Sequence, residues 1–398
     1  MLLEHTGLVA KFEHTDLERA FWNIKHKALK LHDGTCFEAW YQLALAAPSE
    51  FLAMINTFVC SPEQVSTFVV RAKLSGKGTP NPKPAEIRAI LPLPALMQIA
   101  DWLVADAMAT QLNESMAVPD YCYCGGGRGT QVCDIIAAIS IALQKSSDSG
   151  CPCAVAQADI RAFYDRVDVT LIVKWLIWKR CPPWLRCAVL VLQMCSGIEF
   201  AHLDASLRLR PRARGTLTGS RVAGVCGQLV VRDVLAQVEK VVRPYELLSH
   251  HFQLATWVDN IYSLGGNPGE ACQRLEVFGR YLAERWRLDI KPSSMIVYSD
   301  KKRYKGKDFG EYSWASPFTV LGCKVGTGGN PWSDFDQAEL VIWKRFWMGA
   351  GSKVRKSLPL RARVRDLEIG CWPVLSFRCP WWSMGKCCIP SFAHFRGL

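Results

Sequence analysis

The sequence predicts an α+β fold of helices and short strands from three observations. Apolar residues recur at helical spacing over much of the first half, short alternating runs end in acids at Asp159 and just before Asp259, and glycine or proline punctuates the joins. The third is bulk: 398 residues, 49% hydrophobic and 21% charged, have the composition of a globular protein with two or three subdomains.

The elements follow in order. Leu17, Ala20, Phe21, Ile24 and Leu29, then Phe37, Trp40, Tyr41 and Leu45, predict helices in the first 70 residues. A basic Gly/Pro loop bracketed by Lys73 and Arg88 leads into a short strand, and either cation suits a phosphate or plain solvent. Met97 to Gln111 is a helix apolar nearly all round, hence buried. The glycines of YCYCGGGRGTQ permit close backbone approach to a ligand, although a tight loop before the helix Val132 to Leu143 accounts for them too. CPCAVAQADI alternates Ala154, Ala156 and Ala158 with Val155, Gln157 and Asp159, a strand ending at an acid. Helices follow through Trp175 and Trp178, a stripe read as core packing, and through Trp184 to Met194. Asp165 and Asp168 are read as helix caps or solvated acids. Arg208, Arg210, Arg212 and Arg214 fall on one face of an extended segment, which runs into the glycine turn of GTLTGS and another helix. HFQLATWVDNIYSLGG is a hairpin pattern with Asp259-Asn260 between its apolar runs, and taken alone that pair is an ordinary turn dipeptide. From Lys344 to Arg365 eight cations, among them Lys353, Arg355, Lys356 and Arg361, stand with no acid between them.

Lysine and arginine outnumber aspartate and glutamate 48 to 36, a net charge of +12 that favours a polyanionic partner. The close cysteine pairs 122/124, 151/153 and 387/388 do not have zinc-knuckle spacing, so the 17 cysteines read as thiols of a reducing compartment. The N-terminus lacks the apolar core of a signal peptide and no apolar run is long enough to span a bilayer, so an intracellular, soluble protein without a membrane partner is expected.

An acid at a strand end, a glycine turn opening a helix and an acid at a hairpin tip recur in the order Asp159, Gly219, Asp259. Two carboxylates on neighbouring strands converge, and converging carboxylates bind cations or take up protons. A hard divalent cation suits them, since Mg²⁺ is held by one or two carboxylates plus substrate phosphates.

The ordered motifs resemble those of reverse transcriptases of the non-LTR retrotransposon and group II intron type. DIRAFYDRVD (159 to 168) is similar to their first catalytic motif, RGTLTGS (214 to 220) to the second, and WVDN (257 to 260) to the Tyr-x-Asp-Asp box. LDIKPSS and VLGCKVG resemble the motifs that close the palm, and EIRAI and GGGRGT the finger motifs; the similarity covers about residues 22 to 375. It implies a right-hand polymerase: an N-terminal tail over 1–21, fingers over 22–150, a palm of antiparallel sheet packed on helices over 151–325 with a finger-side insertion at about 181–213, and a thumb-like basic helical region over 326–398.

The implied activity is RNA-directed DNA polymerisation by the core of a retrotransposon-like element, a two-metal nucleotidyl transfer with Mg²⁺ or Mn²⁺, an RNA template, a DNA primer and deoxynucleoside triphosphates. By the same resemblance Asp159, Asp259 and Asn260 are catalytic, with Asp159, Asp259 and the Ile160 carbonyl as metal ligands. Tyr164 selects deoxyribose, Gly219 shapes the nucleotide pocket, and Lys73 and Arg88 grip the triphosphate. The arginines at 208, 210, 212 and 214 and the cations at 353, 355, 356 and 361 contact nucleic acid. Residence in the nucleus is likewise only what the resemblance implies. The chain departs from the pattern at Asn260 (usually a second acid), Thr218, Leu217 and Ser294 (usually Gln, Pro and Lys), and the alternative expectation is an inactive derivative that binds RNA or RNA/DNA.

Overall fold

The computed structural model describes residues 7–25, 37–76, 87–118, 122–125, 131–200, 207–209, 214–242, 253–299, 301, 304–305, 307–315, 318–325, 340–343, 359, 361 and 364. Four helices lead, α1 (His14–Lys25), α2 (Phe37–Ala46), α3 (Pro48–Phe58) and α4 (Pro62–Ser66), before the strands β1 (Val69–Gly76) and β2 (Ile87–Ile90). Then come α5 (Ala95–Ser115), β3 (Cys122–Cys124), α6 (Val132–Ser149), β4 (Ala154–Asp159), the single turn α7 (Phe163–Arg166), α8 (Val169–Trp178) and α9 (Pro183–Met194). β5 (Gly197–Phe200), β6 (Leu207–Leu209), α10 (Arg221–Val241), β7 (Leu254–Trp257), β8 (Asn260–Gly265) and α11 (Pro268–Trp286) follow, and β9 (Ile296–Tyr298), β10 (Ser313–Trp314), β11 (Phe318–Val320) and β12 (Cys323–Val325) end the series.

The main sheet has the order β10-β9-β4-β8-β7-β3. Its centre is antiparallel as expected, but β3 joins β7 and β10 joins β9 in parallel, so the sheet is mixed. β3 arrives from a distant part of the chain and β10 by a connection too long for a hairpin, and local alternation reports neither. β4 sits inside the sheet with both faces covered. Ala154, Ala156 and Ala158 join the cluster that holds α5, α10 and α11, whereas Val155 packs with Tyr262, Leu264, Ile135 and Ile139 beneath α6. The alanines are small enough for α11 to lie directly on β4 and β8. Full burial of a Phe or Leu side chain contributes about 1.5–3 kcal/mol, so Phe278, Leu275 and Leu282 of α11, fully buried there, are principal anchors of this layer.

A second sheet, β2-β1-β5-β6, is built from the hairpin of β1 and β2 plus β5, which runs parallel to β1. The segment expected as an insertion at about 181–213 therefore joins β1. The boundary expected between residues 21 and 22 falls inside α1, whose Leu17, Ala20, Phe21 and Ile24 are buried. Residues 326–398, expected as a thumb, lie almost wholly outside the described residues. Trp175 is core, as read from the sequence, but Trp178 is 66% exposed and lies under the Lys179 ammonium at 4.5 Å. Asp168 caps α8 by accepting from the Thr170 N–H at 2.9 Å, whereas Asp165 is exposed. Among the described residues the twelve cysteines are free thiols, and no helix is long and apolar enough to cross a membrane.

Candidate active site

β4 and β8 pair in a register that sets Asp159 opposite Asn260, and just beyond it the Ile160 N–H donates to the Asp259 carbonyl at 2.7 Å. Asp159 and Asp259 thus stand side by side at one end of the sheet. The backbone of Asp159 is held from a third side, where its N–H donates to Ser294 Oγ (2.8 Å) and its carbonyl accepts from the Lys291 N–H (2.8 Å). Ser294, at the place expected for a lysine, therefore positions the acid, and a lysine stands three residues earlier. Asn260 donates its amide to Asp259 Oδ1 at 3.1 Å. Ile160 is buried, and among the described residues its carbonyl accepts no hydrogen bond.

The hairpin tip is tight: Trp257 pairs with Asn260, leaving Val258 and Asp259 as the loop. Val258 has φ +57°, a conformation strongly disfavoured for a β-branched residue and of the kind that persists only where surroundings impose it. Trp257 is one such constraint. Its ring covers Gly125, where a Cβ would come within 2.2 Å of it, and the Gly125 N–H donates to the Thr256 carbonyl at 2.7 Å. At Gly125 the close approach read from the glycine run is thus to the hairpin rather than to a ligand.

Tyr164 emerges from the turn after Asp159 and packs by Gly227 of α10. Burial first, then the charge of Asp259, pushes its phenol up to about 12, so it stays protonated at neutral pH. With Phe163, Val258, Gly125, Gly224 and Gln228 it lines a cavity of about 110 Å³. Fully buried Tyr262, on the Val155 side of the sheet, is raised for the same reasons, burial above all and the charges of Asp159 and Asp259 after it.

The glycine turn closes the site from α10. Gly215 N–H donates to Val167 (3.0 Å), Thr216 N–H to Tyr164 (2.7 Å) and the Leu91 N–H to Thr218 (3.1 Å), which ties the turn to both α7 and the end of β2. Gly215 and Gly219 have φ of +86° and +108°. A Cβ on Gly215 would meet the Asp165 carbonyl oxygen at 2.8 Å, a backbone atom that cannot step aside. Gly215→Ala is therefore expected to cost about 2 kcal/mol or more, read as a lower midpoint in urea denaturation.

No family model matches the chain, and no curated protein matches it. Among solved structures, apo telomerase of Candida tropicalis truncated from its C-terminal domain aligns at 10% identity and a TM-score of 0.45, over 67% of this chain and 54% of that one. Telomerase of Candida albicans in complex with a TWJ fragment of telomeric RNA aligns at 11% identity and a TM-score of 0.44, over 80% of this chain and 58% of that one. The chain spans little more than half the length of either. At these scores the likeness settles neither fold family nor activity.

The remaining expected residues distribute as follows. Lys73 and Arg88 lie on the paired strands β1 and β2, Lys73 opposite Ile90 and Arg88 opposite Ser75, with their backbones alone described. Arg208 is opposite Glu199 in β6, Arg214 is exposed on the bend before the glycine turn, and Arg361 is exposed. Arg210, Arg212, Lys353, Arg355 and Lys356 lie outside the described residues.

One functional group is invisible to motif reading. Asp101, inside the apolar helix α5, is buried and accepts from Ser220 Oγ, the Arg221 N–H (2.6 Å) and the Val222 N–H (3.3 Å) at the start of α10. Gln193 completes the network, donating to Ser220 Oγ at 2.9 Å and accepting from the Leu217 N–H at 2.8 Å. An acid among the apolar residues of α5, a helix that also carries Asp106, was the only signal available.

Proposed function

We propose that the chain is the core of an RNA-directed DNA polymerase of the reverse-transcriptase type, as in retrotransposon-like elements, adding deoxynucleotides to a DNA primer on an RNA template. The observation that carries this reading is the Ile160 to Asp259 hydrogen bond of 2.7 Å, which makes neighbours of two acids remote in sequence. In this reading the sheet built around β4 and β8 is the palm, and the β1–β2 hairpin and the helices before it are fingers.

The donors fit a hard divalent cation: two carboxylates and the Ile160 carbonyl are all oxygen, and Mg²⁺ takes its remaining positions from water and substrate phosphates. No third acid is gathered among the described residues, consistent with Asn260 at the usual acid position. A cation held by Asp159, Asp259 and the Ile160 carbonyl would supply Lewis-acid stabilisation of the transferring phosphoryl group and a lowered pKa for the attacking hydroxyl. The protein's own part is positional. Ser294 and Lys291 hold Asp159, Gly125 and Trp257 hold the hairpin, and Tyr164 forms a wall at the sugar.

Primer extension on an RNA template with Mg²⁺ or Mn²⁺ is the test, and incorporation by the wild-type protein is expected. Replacing the phenol wall by Tyr164→Ala is expected to raise ribonucleotide incorporation relative to deoxynucleotide by at least about tenfold, about 1.4 kcal/mol of discrimination. An unchanged ratio would remove Tyr164 from sugar selection.

A second reading is favoured by the Asn260 amide, which meets Asp259 where an additional acid would bring charge: an inactive protein that binds RNA or RNA/DNA duplex. Salt-dependent binding with no extension, unrescued by Asn260→Asp, would select it.

A further inference from the structure

Arg232 on α10 is only 7% exposed, yet among the described residues no carboxylate reaches its guanidinium. The adjacent acid, Asp233, is committed elsewhere, to Arg285 at 2.7 and 3.0 Å and to the Trp286 indole at 3.0 Å. Arg232 is left with a neutral acceptor, Asn113 Oδ1 at 2.7 Å, and the Cys124 thiol, and its Nε has no partner. A buried cation without a counter-charge costs several kcal/mol, which an anion arriving from solvent would offset.

The guanidinium lines an open groove of about 350 Å³ between α5 and α10. One wall is the α10 stripe Arg221, Val225, Gln228 and Arg232, at the three- and four-residue spacing of a single helical face. The other is α5, where Trp102, Ala105 and Ala109 make an apolar floor. Asp106, the carboxylate on that wall, already faces Arg19 at 3.5 Å. Arg221, exposed at the open end, forms no salt bridge among the described residues, although its charge acts on the buried Asp101. Eleven residue steps of helix separate the two arginines, about 16 Å along the axis, too far for a single phosphate to bridge.

We propose that the α5–α10 groove binds a nucleic-acid strand, with one backbone phosphate on Arg232 at the buried end and another on Arg221 at the open end. Sugars and base edges lie on the Trp102, Ala105 and Ala109 floor. Gly224 and Gln228 line both this groove and the cavity beside Tyr164, so the strand passes directly behind the candidate active site. The assignment rests on the nucleic-acid reading above for the source of the phosphates.

The test is Asn113→Asp, a nearly isosteric change that places a carboxylate against Arg232 and competes with the phosphate. Binding of a labelled single-stranded RNA is measured by anisotropy across salt concentrations, with thermal unfolding in parallel. The expected result is affinity lower by about tenfold near 0.1 M salt and a salt slope smaller by about one, with stability unchanged or raised. Arg221→Gln is expected to lower affinity similarly. Asn23→Asp, the same charge change on α1 outside the groove, serves as control and is expected to bind as wild type. Wild-type affinity and slope in both groove variants would overturn the proposal, as would an equal loss in the control. Competition by inorganic phosphate with no dependence of RNA binding on Arg221 would mark a small-anion site and overturn the strand assignment. Because the readout is binding, a protein that extends no primer leaves this result standing, and the two readings fail separately.

Discussion

Asp159→Asn is expected to reduce primer extension by on the order of 10³-fold while leaving the protein folded. In the proposed reading the magnitude follows from losing one anionic ligand to a cation that would supply several kcal/mol of transition-state stabilisation, with each 1.36 kcal/mol worth a factor of ten. The backbone contacts of this residue, its N–H to Ser294 Oγ, its carbonyl from Lys291 and its pairing with Asn260, are all available to an asparagine. Stability should be equal or higher, since removing one of two neighbouring carboxylates relieves like-charge repulsion. Lost activity with an unchanged or raised melting temperature is therefore the signature sought. Equal incorporation by wild type and variant would take Asp159 out of the chemistry.

Asp101→Leu is expected to have the largest effect on stability, about 3–5 kcal/mol in urea denaturation, because it strands the Ser220 hydroxyl and the first N–H groups of α10 without an acceptor. The damage should spread to the glycine turn, since Ser220 is shared with Gln193 and Gln193 holds Leu217. Burial pushes the Asp101 carboxyl above its ordinary value of 3.8, against the opposing hydrogen bonds from Ser220, Arg221 and Val222 and the charge of Arg221. A folded-state pKa above the unfolded one means that the folded protein holds the extra proton, so this contribution is complete below pH 3.8 and is lost as pH rises through the folded value. Compared with Asp101→Asn, which does not titrate, the wild type should lose ground as pH rises from acid toward neutral. A wild type that instead gains on the variant would show that the helix N–H groups hold the carboxylate ionised, and would reverse the assignment.

Much of this molecule was legible in local pattern. The alternation of Ala154 to Asp159 marked β4 because side chains on a strand change face at every residue, and the burial of those alanines followed. α5 and α6 run on to Ser115 and Ser149, past the ends at Gln111 and Leu143 that their apolar residues suggested, since polar terminal residues carry no periodic signal. Asp168 as a cap was readable for the same local reason, a short acid two residues before the N–H it accepts.

What the sequence by itself determined, then, is a set of elements and the positions of two acids at their ends. Only the tertiary structure decided what surrounds those acids. The parallel seating of β3, the Trp257 ring on Gly125, the Ser294 hydroxyl under Asp159 and the Asp101 carboxylate at the start of α10 all join residues remote in the chain. Such contacts depend on which surfaces remain to be buried once the strands have paired, and no run of neighbouring residues carries that information. The unmatched charge of Arg232 has the same origin, because it depends on the neutral Asn113 and Cys124 that α5 and β3 bring against it.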